Sequence, residues 1–313
     1  MSKPIKVKNF TNLIGQEKLK LTFMTMINAA NKMKSQLDHI LLTGPSGMGK
    51  TSFAETIAHT LQTNIHFSQG PLMKTKTDVL VLFSTIKNGD IIFIDEIHSI
   101  NKNIQELFYL AMDKQAFDLI LDNRQQKTMR LKLPPFTLIG ATTKVTNLST
   151  PFRTRFGFIA EFTPYQINEI MQMITLNGNQ NGWKISPKAS SLLAEHSRFN
   201  PRVAKNLLKR VIEMCVINNL SFIDEQIVQK TLENLNIYKF GLTQNHIVYL
   251  QTLHHHFQEQ WTSFEVICHT LLMERPYLES EIEPILLQNN LIIKSTRGRK
   301  ITNIGIKYLY DLK

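Results

Sequence analysis

The sequence predicts an α/β core, a helical middle region and a C-terminal winged helix. Three patterns carry that expectation. From about residue 38 to 162, short apolar runs alternate with amphipathic segments. From about 164 to 236, apolar residues recur at i, i+3 and i+4, the spacing of one helix face. From about 240 onward, three helix-like segments lead into an apolar alternation broken by the basic stretch "KSTRGRK". The domains expected from these patterns span residues 1–163, 164–237 and 238–313.

In the first zone the strand candidates are "HILLTG", "NIHFSQG", "DIIFIDE" and "FTLIGATT". Continuous apolar runs bounded by turns suit parallel strands covered on both faces. The stretch from Phe117 to Phe136, "FDLILDNRQQKTMRLKLPPF", alternates apolar and polar residues about a polar turn. It reads as a β-hairpin added to the core. In the second zone Ser186-Pro187, Asn200-Pro201 and Asp224 open helices, because their side-chain oxygens can cap free N–H groups and proline suits a first turn.

The chain of 313 residues holds 36 Lys+Arg against 25 Asp+Glu, a formal charge of +11. Such an excess favours an anionic partner, nucleic acid or an acidic membrane surface. Two cysteines, Cys215 and Cys268, exclude a disulfide framework and read as buried thiols of a reducing compartment. No stretch approaches transmembrane length and no leader-like apolar run opens the chain, so a soluble cytoplasmic protein is expected. His254, His255 and His256 occupy consecutive helix positions, which diverge and cannot converge on one metal ion.

The chemistry starts at "LLTGPSGMGKTS", which fits G-x-x-x-x-G-K-[ST] from Gly44 to Thr51, after a strand and before a helix. Glycines let the backbone wrap a phosphate, and the N–H groups of the helix start favour its charge. Lys50 would reach the β- and γ-phosphates of ATP, and Thr51 would hold Mg²⁺. "IIFIDEIH" ends a strand in Asp95 and Glu96, Asp95 for the metal and Glu96 for the attacking water. "LIGATTK" ends another in Thr142 and Thr143, hydroxyls that could touch the γ-phosphate or the water. Arg153 and Arg155 in "TPFRTRFG" follow that strand, where an arginine supplied to a neighbouring subunit could stabilise transition-state charge. Arg202 in "FNPRVAKNLL" stands at a helix start, from which it could report the nucleotide's state to the second domain.

These motifs together resemble the AAA+ ATPases, and within them the RuvB family, bacterial motors that drive branch migration of Holliday junctions. "LPPFTLIGATT", "DEIH" and the closing "TRGR" carry the closer likeness, which spans about residues 5 to 313. The resemblance implies an AAA+ P-loop ATPase core, a helical lid and a winged-helix DNA-binding head, working with ATP and Mg²⁺ in recombination and DNA repair. It assigns Gly47, Lys50, Thr51 and Ser52 to the phosphate loop, Asp95 and Glu96 to the Walker B pair and Thr142 to the sensor-1 position. It makes Arg155 the trans-acting finger, Tyr165 and Arg202 nucleotide contacts from the lid, and Ile5 and Lys6 contacts to the adenine. It further implies a ring, as a hexamer, with RuvA bound through the 117–136 hairpin and RuvC as a further partner. Two departures stand out: Lys6-Val7 replaces the family's Arg-Pro, and Ser46 replaces its second loop proline.

In the basic turn, Gly298 permits a tight reversal, and Lys294, Arg297, Arg299 and Lys300 would project cations from a rigid wing. Cations without a base-reading pattern suit phosphate contacts, which hold DNA of any sequence. The resemblance singles out Lys294 and Arg299 as DNA contacts, with lysine in place of arginine at the first. Two other functions compete with a translocase: an AAA+ loader or remodelling switch, and a DNA-binding regulator gated by ATP. The regulator needs base-reading side chains on "ESEIEPILLQNN", where Glu279, Glu281 and Glu283 are expected to repel phosphates instead.

Overall fold

The computed structural model describes residues 9–122 and 127–312, with the backbone alone for 118–122 and 127–129. The chain divides into two compact units, residues 1–165 and 166–313.

The first unit contains α1 (Glu17–Met33), β1 (Ile40–Thr43), α2 (Lys50–Leu61), β2 (Ile65–Gln69), α3 (Lys76–Ser84) and β3 (Ile91–Asp95). It continues with α4 (Lys102–Lys114), β4 (Ala116–Asp122), β5 (Lys127–Lys132), β6 (Thr137–Thr142), α5 (Thr150–Arg153) and β7 (Phe158–Glu161). Five strands form one parallel sheet in the order β2-β3-β6-β1-β7. All four residues of β1 and all six of β6 are buried, as expected of central strands covered on both faces. The four strands expected from the sequence are present; β7 adds a fifth. Its apolar run is only three residues, Phe158–Ala160, before Glu161. The hairpin also forms, β4 antiparallel to β5 with Phe117 opposite Leu131, and its tip at 123–126 lies outside the described residues. Phe83, Phe108, Phe117, Phe136 and Phe152 pack beneath the sheet in one aromatic cluster that also anchors the hairpin's base.

The second unit opens with α6 (Ile167–Gln180), β8 (Lys184–Ile185), α7 (Pro187–Glu195), α8 (Pro201–Ile217), β9 (Phe222–Ile223) and α9 (Glu225–Asn234). Ser186, Asn200 and Asp224 cap α7, α8 and α9, each side chain accepting from a first-turn N–H. The zone is not purely helical: β8 and β9 pair in parallel. Then come β10 (Ile237–Tyr238), β11 (Leu242–Thr243), α10 (Gln244–Gln251), α11 (Phe264–Leu271), α12 (Arg275–Tyr277) and α13 (Glu283–Gln288). The chain closes with β12 (Ile292–Ser295), β13 (Gly298–Ile301) and α14 (Asn303–Asp311). The helix α14 is an addition to the expected wing; its Tyr308 and Leu309 complete the head's core. Pro284, near the start of α13, has no N–H to give, and a π turn over Leu278–Ile282 takes up the mismatch ahead of it. His254, His255 and His256 lie on a second π turn. Cys215 is buried, whereas Cys268 is only half-buried, so the expectation of two buried thiols holds for one.

The head has one buried titratable cap. The His246 ring accepts from the Thr243 N–H at 3.1 Å through Nδ1, and its Nε2 faces the Glu281 carbonyl at 3.2 Å. Burial, reinforced by the nearby Arg198 cation, lowers its pKa from 6.5 to about 4. A protonated Nδ1 could no longer accept from the cap. Because the folded-state pKa lies below the unfolded one, the unfolded chain binds more protons between these two values. Stability is therefore full above pH 6.5 and falls as the pH drops towards 4. The thermal midpoint followed by circular dichroism should decline across that window. His246→Gln, which keeps an acceptor without a titration, should flatten part of the decline.

Candidate active site and nucleic-acid interface

The buried strand β1 delivers a loop whose Gly44, Gly47 and Gly49 all have positive φ, at 135°, 83° and 92°. These angles are open to glycine and strained for other residues. A Cβ on Gly44 would come within 2.9 Å of the Phe162 carbonyl oxygen, so close packing also demands glycine there. The loop runs into α2, whose N-cap Gly49 has no side chain to cover the first N–H groups and whose first turn carries no acidic residue. An uncapped helix start beneath a glycine loop is an anion cradle, and it fits a nucleotide's phosphates. Lys50 is buried with its ammonium donating to the Gly44 and Pro45 carbonyls, both at 2.8 Å. Thr51 is exposed and Ser52 half-buried. Tyr165 falls at the end of the first unit, and its buried hydroxyl donates to the Met48 carbonyl at 3.0 Å, bracing the phosphate loop.

Asp95 closes β3, and its Oδ1 accepts from the Glu96 N–H at 3.0 Å. Glu96 itself turns into the left-handed region at φ 50°. That costs a non-glycine residue about 1 kcal/mol, so neighbours must hold it. Gly70 leaves room for the turn, since a Cβ there would collide with the Glu96 carbonyl. The Glu96 carboxylate lies 3.2 Å from His98 Nδ1, and the same nitrogen lies 3.0 Å from the Thr142 hydroxyl. Thr142 is fully buried and also accepts from the Lys144 N–H at 2.9 Å, whereas Thr143, next along the chain, is exposed. Thr142 therefore orients His98 and the strand end, and Thr143 is the hydroxyl presented to solvent. Arg155 is pinned within its own chain. Its Nε meets Asp113 at 2.9 Å, its Nη1 donates to the Pro151 carbonyl at 2.8 Å, and the guanidinium stacks over Tyr109 at 4.9 Å.

The basic turn is an antiparallel wing in which Lys294 faces Arg299 and Ser295 faces Gly298. Gly298 has φ 122°, and a Cβ there would strike the Thr262 carbonyl, to which Arg299 donates its N–H at 2.8 Å. Lys294 and Arg297 are exposed and Lys300 is half-buried. Arg299 does not project as expected. It is buried, donating to the Glu283 carboxylate at 2.7 and 3.1 Å and stacking on Phe264 at 3.9 Å. The Tyr249 hydroxyl donates to the same carboxylate at 2.8 Å. Glu283 is thus only 3% exposed and is no phosphate-repelling surface charge. Glu279, by contrast, stays at the surface, paired with Arg275 at 3.2 Å.

Three family models cover the chain in sequence. The Holliday junction DNA helicase RuvB P-loop domain matches residues 5–162, the RuvB AAA lid domain 165–238 and the RuvB C-terminal winged helix domain 239–310. The chain belongs to the RuvB family. The Holliday junction branch migration complex subunit RuvB of Mycoplasmopsis pulmonis is 43% identical over 306 residues, 97% of each chain. That of Mesomycoplasma hyopneumoniae is 42% identical over 310 residues, 99% of this chain and 98% of its own. Among solved structures, the Thermotoga maritima RuvB Holliday junction branch migration motor superposes with a TM-score of 0.81 at 34% identity. That match covers 97% of this chain and 98% of the other.

RuvB-family motifs found in the sequence converge on one end of the sheet in Lys50, Thr51, Ser52, Asp95, Glu96 and Thr142. Arg202 is exposed at the start of α8 in the second unit, and Ile5 and Lys6 lie outside the described residues. Gly70 and His98 were missed. His98 stood within "DEIH", but nothing in its spacing says that it bridges two strand ends. Gly70→Ala should displace Glu96 and lower the ATPase kcat about tenfold or more, with nucleotide affinity little changed. An equal loss of both would place the damage in binding. At the wing, Lys294→Ala or Arg297→Ala should weaken duplex binding for every sequence and flatten the salt dependence, by about 0.9 in log–log slope per lost contact. Arg299→Gln should instead lower the thermal midpoint, because buried Glu283 loses its bidentate cation and keeps only the Lys294 cation at 4.0 Å, at a cost of about 3 kcal/mol.

Proposed function

We propose that this chain is an ATP-driven DNA translocase that drives branch migration of Holliday junctions in recombination and repair, as a ring acting with RuvA. The observation that carries the reading is the meeting of the phosphate loop with Asp95 and Glu96 on one sheet edge, in a chain that ends in an exposed basic wing. The names of its relatives, branch migration complex subunits, point to the same activity.

In this reading Lys50 leaves the loop carbonyls for the β- and γ-phosphates of ATP. The Thr51 hydroxyl and Asp95 carboxylate are hard oxygen donors suited to Mg²⁺, which would neutralise phosphate charge. Glu96 orients the attacking water and takes its proton, while His98 and Thr142 hold the carboxylate in place. Arg155 exchanges Asp113 for the γ-phosphate of a neighbouring subunit, which makes hydrolysis depend on a ring, read here as a hexamer. Arg202 answers to the nucleotide from the lid, and Ile5 and Lys6 close on the base. RuvA docks on the 117–136 hairpin, with RuvC as a further partner. Lys294 and Arg297 grip the DNA backbone without reading sequence. Among the described residues, no helix is long and apolar enough to cross a membrane.

Purified protein should hydrolyse ATP, faster with duplex DNA, and Lys50→Ala or Asp95→Asn should abolish this. Normal hydrolysis by Lys50→Ala would overturn the site. Mixing Arg155→Ala subunits with Lys50→Ala subunits should restore activity, because an intact finger then meets an intact loop. With RuvA and a four-way junction, strand separation that needs hydrolysable ATP distinguishes a motor from a loader or switch.

A further inference from the structure

The hexapeptide "SRFNPR" holds two arginines on either side of a sharp backbone turn. Arg202 stands in the first turn of α8, whose cap is Asn200. Arg198, four residues earlier, faces the other way along the chain, towards the head. Its Nε donates to the Gly241 carbonyl at 2.8 Å. Gly241 lies in the short turn Lys239–Gly241 that leads into the winged helix. A Cβ on Gly241 would come within 2.6 Å of the Arg198 Cγ and 2.7 Å of the His196 carbonyl oxygen, so the two segments are in close contact. The same turn is held from the head side, where the Tyr308 hydroxyl of α14 donates to the Lys239 carbonyl at 2.8 Å and the Tyr308 ring stacks on Phe240. Lys239 also approaches Glu195, the last residue of α7, at 3.8 Å.

Both segments in this contact hold side-chain-bearing residues in the left-handed region: Arg198 and Phe199 have φ of 56° and 53°, and Phe240 has φ of 66°. Consecutive left-handed residues with side chains persist only where surrounding contacts over-determine them, and such sites concentrate where function needs a fixed geometry. Burial of Arg198 and its proximity to Glu281 add to the fixing.

We propose that Arg198 is a positioning residue that clamps the head's incoming turn to the lid, so that the start of α8 and the basic wing move as one lever. This rests on the reading above that Arg202 answers to the nucleotide. It assigns to one short segment both ends of the coupling: nucleotide state on one side of the turn and DNA grip on the other. Without the clamp, the Lys239–Gly241 turn would absorb a lid rotation as a hinge.

The test compares wild type, Arg198→Ala and Arg198→Lys with RuvA and a four-way junction, measuring strand separation per ATP hydrolysed. Both variants should keep ATPase rate and duplex affinity within about twofold, while separation per ATP falls by about fivefold or more. An unchanged ratio with only a lower thermal midpoint would make Arg198 structural and overturn the proposal. An independent arm measures energy transfer between labels at exposed Lys209 in α8 and Ser295 in the wing. The wild-type distance should stay narrow and constant with ADP, with a slowly hydrolysed ATP analogue and without nucleotide, and should broaden in Arg198→Lys. A wild-type distance that changes with nucleotide overturns the lever even if no variant folds. If wild type with RuvA separates no junction, the translocase reading fails, while the distance arm still decides the clamp.

Discussion

The pairing of β3, β6 and β1 side by side, all parallel, sets the geometry on which the active site depends. Parallel strands end together, so the loops leaving their C-terminal ends share one edge. Gln69 pairs with Asp95, Ile94 with Gly140 and Thr43 with Thr142, which places the ends of four strands in a row. The Gly44 N–H donates to the Thr142 carbonyl, tying the phosphate loop directly to the neighbouring strand end. A slip of one residue in this ladder would turn every side chain to the opposite face and separate Glu96 from its supports.

The supports are themselves small. Gly70 keeps the space behind Glu96 open, His98 spans to Thr142, and Tyr165 props the phosphate loop through Met48. These contacts hold the phosphate loop and Glu96 in positions that an unsupported backbone would leave, as the left-handed turn at Glu96 shows.

The head uses charge in a different way. One buried carboxylate, Glu283, is satisfied by Arg299 and Tyr249 together, and burial pushes the Tyr249 phenol upward so that it remains a donor. Such a buried pair adds little net stability over an apolar replacement, but it admits one arrangement of the wing. Lys294 is then presented from β12 and Arg297 from the turn that follows it, in a wing whose register is fixed by Gly298 against Thr262.

Much of the molecule was legible in the sequence because its signals are local. The glycine spacing of the phosphate loop, the apolar runs that end in acid or threonine, and the caps at Ser186, Asn200 and Asp224 each depend on residues within one turn or one strand. The edge strand β7 and the last helix α14 were not legible, since β7 has an apolar run of only three residues and α14 follows the wing with an apolar pattern that also suits a strand. Side-chain roles that depend on distant partners were misread for the same reason. Arg299 and Glu283 look like opposing surface charges in sequence, yet they neutralise each other inside the head. Thr142 looks like a phosphate sensor in sequence, and the structure adds partners that the sequence does not show, His98 and the Lys144 N–H. The sequence by itself determined which chemistry this chain carries, because the identity and spacing of reactive groups are covalent facts. Only the tertiary structure decided which of those groups face solvent and which brace their neighbours, because burial and partner distance arise from contacts between segments far apart in the chain.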